Sequence, residues 1–425
     1  MKLKFCILTL GCPKNIVDSE YIINSLPKEK FILTEKVEEA NLILLNTCGF
    51  IADSISESYS YINSLISLKK KFPTIKIIVF GCLVSRQGSD KLYELFPSID
   101  KFFPVLDKSK ILSYLNANYN FLRKDLLVSP YYSYLKISDG CNRKCAFCTI
   151  PQIKGKYTSK ELPLLIQEAK YLSDNNVKEL ILIAQETTNY GCDLKDEKSN
   201  FLNLLEQLSD IEKLQWIRIM YSHPASFDLR ILELMNLRTN ICKYIDIPLQ
   251  HISDNMLKQM KRKMTSTQIK QIVKNMREIV PNIAIRSTFI VGFPGETEQD
   301  FEELYNFLEE YELDRVGVFK YSAEENTIGA TLENQIPNEV KDERLDKLMT
   351  LQKSISLKRN QQMINKAINV FVENEIDDYF IARTEADAPE IDNSVIIDKK
   401  RNNKIKIGDF TKVKIRKATE YDLFV

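Results

Sequence analysis

Three cysteines within eight residues constrain this chain more than any other feature in it. They lie in the stretch Tyr-Leu-Lys-Ile-Ser-Asp-Gly-Cys-Asn-Arg-Lys-Cys-Ala-Phe-Cys-Thr-Ile, residues 134–150. Tyr134 to Ile137 alternates apolar and polar, the period of a strand. Asp139-Gly140 then breaks the chain into a loop. The loop presents Cys141, Cys145 and Cys148 in a C-x3-C-x2-C spacing. Thiolates this close converge on one soft metal centre, and iron–sulfur clusters are held by such thiolates. Three ligands on a four-iron cube leave one iron open to a substrate or cofactor. The alternative is a structural zinc. That ion is almost always four-coordinate, and no fourth Cys or His lies within twenty residues on either side.

A length of 425 residues predicts roughly two to four domains. Hydrophobic content of 44% and charged content of 28% fit an ordinary globular chain. The net charge of +1 gives no whole-chain attraction to nucleic acid or to a membrane. Nine cysteines, an odd number, fit poorly with a complete set of intrachain disulfides. Phe5–Leu10 is too short for the core of a signal peptide and reads as a first strand. No segment approaches the length of a membrane span. The expected compartment is a reducing cytoplasm, where clustered cysteines mean metal or catalysis. Two histidines in the whole chain argue against His-based metal sites.

Residues 1–125 alternate strand and helix. Strands are expected at Lys4–Leu10, Asn41–Asn46 and Lys76–Phe80, and helices at Ile16–Leu26, Ser54–Lys70 and Arg86–Phe96. This order implies a parallel sheet covered on both faces. Cys12, Cys48 and Cys82 each fall one or two residues past a strand's C-terminal end, the edge where open α/β sheets bind ligands. Right-handed crossovers keep those ends together, so three loops aim three thiols at one crevice and point to a second cluster. Burial as small hydrophobes is the alternative. Cys6, inside the first strand, is read as core. Asn15, Asp18, Ser19 and Glu20 read as helix capping and dipole matching.

Residues 126–358 repeat the pattern. Strands are expected at Tyr134–Ile137, Glu179–Ala184, Gln215–Met220, Tyr244–Ile247, Ile283–Val291 and Arg315–Phe319. Helices are expected at Leu162–Asn175, Phe201–Leu208, Leu229–Leu234, Asp254–Met260, Thr267–Ile279 and Glu298–Tyr311. Six such units imply a partial (βα) barrel, whose function gathers at the C-terminal strand ends. Those ends carry Gln185, Glu186, Ser222, His223, Gln250, His251 and the Gly292–Glu296 turn. Lys258, Lys261, Arg262 and Lys263 read as a solvated basic helix face, with nearby RNA as the alternative.

Lys341–Met363 reads as a helix. Five short strands follow, at Val370–Val372, Phe380–Arg383, Ser394–Ile397, Thr411–Ile415 and Asp422–Phe424, which point to a small β-barrel. Residues 370–393 hold eight acids and one base, a net charge of −7. A barrel gripping RNA is expected to be basic, so an acidic one suits a basic polypeptide.

The Cys141/Cys145/Cys148 loop, with Phe147 before the third cysteine, resembles that of radical S-adenosylmethionine (SAM) enzymes. In that family the open iron is chelated by the amino and carboxylate groups of SAM. The resemblance also implies that the Ile290–Thr297 turn lines the SAM pocket, with Gly292 against the nucleoside and Arg286 on the SAM carboxylate. Joined to the N-terminal domain, the chain resembles the methylthiotransferases. That implies a flavodoxin-like domain over 1–125, with Cys12, Cys48 and Cys82 holding an auxiliary [4Fe–4S] cluster. A TIM-like radical SAM barrel spans 126–358, and a TRAM-like antiparallel β-barrel that binds substrate spans 359–425. Gly11–Glu20, Asp246–Ser253 and Arg383–Asp392 are similar to the branch acting on a ribosomal protein. The tRNA-modifying branch tends to have Gln-Met in place of Pro13-Lys14, whereas Met220-Tyr-Ser-His-Pro224 leans toward that branch. The implied reaction is methylthiolation of the β-carbon of an aspartate in ribosomal protein S-twelve, free or within the ribosome. It implies two [4Fe–4S] clusters, two SAM per turnover, a reductase or flavodoxin as electron donor, and a cytoplasmic monomer. No side chain is singled out as a catalytic acid or base. Two alternatives stand beside this reading: a tRNA adenosine methylthiotransferase, and a non-catalytic metal-binding module that docks on the ribosome.

Overall fold

The computed structural model describes residues 2–105, 107–402 and 404–425. The N-terminal part runs β1 (Leu3–Thr9), α1 (Pro13–Ser25), β2 (Phe31–Leu33), β3 (Leu42–Thr47), α2 (Ala52–Lys71), β4 (Lys76–Gly81), α3 (Cys82–Gln87), α4 (Ser89–Leu95), β5 (Lys101–Pro104) and α5 (Lys108–Tyr114). Its strands lie in the order β2-β1-β3-β4-β5, all parallel, which is the flavodoxin-like winding. β3 is buried at all six positions, as a central strand covered on both faces must be. The helix expected over Arg86–Phe96 is instead two helices, α3 and α4, parted at Gly88 with φ +81°. β2 and β5 are edge strands of three and four residues, too short to show a period in the sequence.

The middle part begins with β6 (Tyr132–Lys136), β7 (Ser138–Asp139), α6 (Ile150–Lys154), β8 (Thr158–Ser159), α7 (Leu162–Asp174) and β9 (Glu179–Ile183). It continues through α8 (Phe201–Ser209), β10 (Trp216–Ile219), α9 (Arg230–Leu237), β11 (Ile241–Asp246), α10 (Asp254–Gln259) and α11 (Ser266–Ile279). It ends with β12 (Ala284–Val291), α12 (Glu298–Tyr311), β13 (Arg315–Lys320) and α13 (Asn338–Gln361). Six parallel strands lie in the order β13-β12-β11-β10-β9-β6, an open, partial barrel. Leu135, Leu182, Ile217, Ile245 and Ile285 face outward into the helix-covered core. Tyr132, Tyr134, Ile181, Trp216 and Tyr244 face inward.

The C-terminal part comprises β14 (Ala367–Ile376), β15 (Tyr379–Arg383), β16 (Ser394–Asp398), β17 (Phe410–Lys414), β18 (Lys417–Ala418) and β19 (Asp422–Phe424). They form one curled sheet, β17-β14-β15-β16-β19-β18, antiparallel except for the parallel β16–β19 pair. Among the described residues no helix is long and apolar enough to cross a membrane.

Six strands do not close a barrel, so its inner face needs covering. From one side, α1 lays Val17 and Tyr21 against Tyr134, Ile181 and Ile183. Asp18 pairs with Lys136 of β6 and, at 3.4 Å, with Lys154 of α6. Glu20 pairs with Arg123, which also holds Glu168 at 2.7 Å. Asp18 therefore joins two domains, and Glu20 holds the segment leading into the second, accepting the Leu127 N–H at 2.8 Å. Neither caps α1, which has no acid in its first turn and no side-chain cap. From the other side, the C-terminal domain packs Phe371 and Phe410 edge-to-face against Trp216 at the start of β10. Arg383 pairs with Glu179, which also takes Arg218 at 2.8 Å. Arg315 pairs with Asp387 at 2.6 Å, and Tyr244 donates its hydroxyl to Asp392 at 2.8 Å.

That arrangement overturns the expectation of an acidic docking face over 370–393. Asp387 and Asp392 are consumed inside the barrel, and Glu373 is taken by Arg383 at 2.5 Å. Glu375 and Asp378 are exposed but neutralised by Lys399 and Lys400. The solvent face of this domain instead shows exposed Arg401, Lys404, Lys406, Lys412, Lys414 and Arg416.

Asp387→Ala strands the Arg315 guanidinium in the interior and is expected to cost about 3–5 kcal/mol. Glu375→Ala removes only an exposed ion pair and is expected to cost less than about 1 kcal/mol. Thermal or urea unfolding of the two variants checks this, and equal losses would contradict the barrel role of Asp387.

Candidate metal centre

The cysteine loop leaves the sheet after β6 and the short β7. It is fixed by backbone bonds at its start and in its middle. The Cys141 N–H donates to the Gly155 carbonyl at 3.2 Å, and the Ala146 N–H donates to the Met260 carbonyl at 3.0 Å. Ala146 is buried among Met256, Met260, Phe293 and Tyr321, and Phe147 packs on the same cluster. The Arg143 backbone N–H points at the Cys141 sulfur, 3.4 Å away, and an Arg262 Nη1 points at the Cys145 sulfur, also 3.4 Å away. Arg262 further donates to the Pro248 carbonyl at 2.6 Å and is 5% exposed. It is therefore no part of a solvated basic face, though Lys258, Lys261 and Lys263 are exposed. Burial pushes the Cys141 thiol up to about 11 and the Cys148 thiol up to about 12. A metal bound here displaces those protons.

The strand-end residues divide into those facing this loop and those holding structure. Buried Glu186 accepts a forked pair from the Arg143 side chain, 2.6 and 3.0 Å at the shortest, and a bond from Ser226 Oγ at 2.8 Å. His223 takes the Ala225 N–H on Nδ1 at 3.2 Å, and its Nε2 is buried with no partner. Burial, with Arg262 and Arg143 nearby, lowers its pKa to about 2, so the ring is neutral. Gln185 Oε1, Ser222 Oγ and Arg262 Nε are also buried without partners. Unsatisfied buried polar atoms are costly. Several of them on consecutive strand ends beside three thiols fit a site shaped for a bound polar group.

His251 is structural. Its Nδ1 accepts from the Ser253 N–H at 3.1 Å, so Nε2 carries the hydrogen donated to Glu296 at 3.0 Å. Glu296 also pairs with Arg344 of α13 at 2.6 Å and accepts the Gly292 N–H. Gly292 adopts φ +71°, and a Cβ there would stand 2.2 Å from Lys341 Cγ. The space beside it is filled by α13 and is not open to a nucleoside. Arg286 is likewise committed. It pairs with Asp246 at 2.9 Å and with Asp392 at 3.4 Å, so two carboxylates already neutralise the charge expected to meet SAM.

The other trio gathers at the sheet edge. Cys12 is the N-cap of α1, Cys48 follows β3, and buried Cys82 is the first residue of α3 rather than part of a loop. A Cβ on Gly11 would lie 2.9 Å from Cys48 Cβ, so only glycine lets Cys48 approach the turn that carries Cys12. Asn15 is the hub. Its Nδ2 donates to the Leu10 and Thr47 carbonyls at 2.8 and 3.3 Å, and its Oδ1 lies 3.7 Å from Cys82 Sγ. Burial pushes the Cys82 thiol up to about 12.

Both trios open on the seam between the first two domains. Cys82 packs with Ile153 of α6, the helix that follows the other cysteine loop. Thr149, beside Cys148, donates to the carbonyl of Phe50, two residues past Cys48, at 3.1 Å. Glu324, in the loop after β13, closes the edge by binding Arg86 at 2.6 Å and the Ala52 N–H at 3.0 Å. Among the described residues no three Cys, His, Asp or Glu side chains close round a single ion. The thiolates of a four-iron cube bind different irons and stand farther apart than ligands of one ion, and an all-cysteine donor set suits such a cluster. Sequence alone assigns no site role to Arg143, Arg262, Asn15 or Lys14. Arg143 sits between two of the cysteines and Lys14 two residues after Cys12, whereas nothing local marks Arg262, whose cysteine lies far along the chain.

Three family models match: the radical SAM superfamily over residues 135–308, an uncharacterized protein family, UPF0004, over 4–104, and the TRAM domain over 364–425. The chain is 42% identical over 429 residues to the ribosomal protein uS12 methylthiotransferase RimO of Flavobacterium johnsoniae, covering 100% of this chain and 98% of the relative. It is 43% identical to the protein of that name from Chloroherpeton thalassium, covering 99% and 98%, and 39% identical to that of Clostridium tetani, covering 99% and 97%. Among solved structures, the radical SAM methyltransferase TsrM of Kitasatospora setae matches with a TM-score of 0.56 at 13% identity, over 75% of this chain and 73% of that one. The radical SAM enzyme OxsB matches at 0.51 and 14%, over 83% and 56%. These two show the fold alone.

Glu296→Gln keeps the shape of the turn but leaves Arg344 without its buried counter-charge. The expected loss is about 3 kcal/mol of stability. Calorimetric unfolding measures it, and an unchanged melting temperature would remove the structural role given to the His251–Glu296–Arg344 chain.

Proposed function

The chain belongs to the RimO family of radical SAM methylthiotransferases, and from that premise we propose that it methylthiolates the β-carbon of an aspartate in ribosomal protein uS12. The reading includes two [4Fe–4S] clusters and two SAM per turnover. Cys141, Cys145 and Cys148 would hold one cluster, and Cys12, Cys48 and Cys82 the other. The observation that carries it is the opening of both trios onto one seam, bounded by Phe50, Thr149, Ile153 and Glu324. When bound, the two centres with SAM supply one-electron removal of hydrogen from an unactivated carbon and a sulfur atom to insert there.

The chain's own residues position and shield. The Arg143 N–H and Arg262 guanidinium donate toward sulfur at 3.4 Å, offsetting charge that collects on the thiolates. Glu186 fixes Arg143, and Ser226 fixes Glu186. The Arg86–Glu324 pair, both side chains less than one-tenth exposed, shuts the rim against water. The exposed bases Arg401, Lys404, Lys412 and Lys414 suit ribosomal RNA phosphates. They favour uS12 taken in the ribosome over the free protein. The proposal further includes a cytoplasmic monomer fed by a reductase or flavodoxin.

In anaerobic assays Cys141→Ala is expected to abolish deoxyadenosine formation. Cys12→Ala is expected to keep it but to leave uS12 without added sulfur. Each variant is expected to retain roughly half the wild-type iron, because one of two cubes is lost. Mass spectrometry of uS12 and of tRNA after co-expression decides the substrate. A methylthio mass on tRNA with none on uS12 would overturn this assignment.

A further inference from the structure

Lys14 is an ammonium in the wrong place for stability. It lies in the first turn of α1, where the helix dipole disfavours a cation. It is 8% exposed. Among the described residues no carboxylate pairs with it, whereas buried Arg123, Lys136, Lys154, Arg218 and Arg383 each have one. Its Nζ lies 3.4 Å from the Tyr221 ring centroid and 3.4 Å from the Ala184 carbonyl. A buried cation without a counter-ion is costly, and a π face with one carbonyl replaces little of its hydration.

The surroundings are built to hold it there. Tyr221 adopts φ +59°, a strained conformation for an aromatic residue. It is fixed in it by its N–H on Asp246 at 3.0 Å and by its carbonyl, which accepts the Thr187 N–H at 3.1 Å. Ala184 ends the run from β9, and Tyr221 the run from β10, so Lys14 crosses from the N-terminal domain to the functional end of the barrel. Lys14 is two residues from Cys12, and Tyr221 is close enough to feel the charge of that cysteine. Next along the chain from these two contacts stand Gln185 and Ser222, whose side-chain oxygens are buried without partners.

We propose that Lys14 is a positioning residue that receives the side-chain carboxylate of the substrate aspartate, in the seam bordered by both cysteine trios. This rests on the reading of the substrate given above. The carboxylate carbon is bonded directly to the β-carbon, so gripping the anion fixes the reacting carbon one bond away. The cation also offsets the entry of an anion between two thiolate-rich centres. The aspartate in turn supplies the counter-ion that Lys14 lacks.

The test uses the anaerobically reconstituted full-length protein and two forms of uS12, one natural and one with the target aspartate changed to asparagine. Affinities are measured for wild type, Lys14→Met and Lys14→Arg, with iron content as the check that the clusters are retained. The wild type is expected to prefer the aspartate form by on the order of ten- to a hundredfold, the worth of a charge-assisted contact. Lys14→Met is expected to lose that preference, and Lys14→Arg to keep most of it. The ratio of two substrates on one protein stays readable even if Lys14→Met is less stable. If Lys14→Met weakens both forms equally, or weakens SAM binding instead, the carboxylate assignment fails. If the wild type adds no mass to uS12 at all, the proposed function fails, whatever the variants do.

Discussion

An open barrel of six strands cannot hide its own inner face, and the rest of the molecule is arranged by that constraint. The inner face carries Lys136, Glu179, Arg218, Asp246 and Arg286, charged groups that no helix layer covers. Helix α1 brings Asp18 and Glu20 to one side, and the segment after β15 brings Asp387 and Asp392 to the other. Buried ion pairs add little net stability over apolar packing. They do penalise misplacement heavily, because a shifted neighbour leaves a bare charge in the interior. The docking of three domains is thus set by charge matching, and the position of one cysteine trio relative to the other follows from it.

That constraint explains what the sequence revealed and what it hid. The C-x3-C-x2-C loop, the six barrel strands and the placement of Cys12, Cys48 and Cys82 after strands all rest on local spacing and local period, which one chain displays directly. Glu298–Tyr311 and Asp422–Phe424 match the expected bounds to the residue. The acids of 370–393 were misjudged for the opposite reason. The partners of Asp387 and Asp392, Arg315 and Arg286, lie far away in sequence, and summed charge does not distinguish a solvated carboxylate from one inside a barrel. Asp18 and Glu20 near a helix start looked like dipole partners, yet Asp18 reaches Lys136 in the next domain and Glu20 pairs with Arg123, far along the chain. Arg262 shared a run with three exposed lysines, yet it turns inward to Cys145. Local pattern carries element type, and long-range pairing decides which charged residues belong to the site.

Neither histidine is free for proton chemistry at the seam, one through its hydrogen-bond partners and one through its burial, and that bears on the kind of reaction the seam supports. His251 is locked between Ser253 and Glu296, and His223 is held neutral by burial beside two arginines. His223 therefore offers no general base at the barrel mouth near neutral pH. A hydrogen on the β-carbon of an aspartate is not acidic enough for any side-chain base in this chain, so losing that chemistry costs the enzyme nothing. What such a reaction asks of a protein is that the carbon be held still, that the anion attached to it be neutralised, and that water be kept from a reactive species. Buried cations, a sealed rim and thiols aimed from two domains meet those three demands, and they do so without a catalytic acid or base.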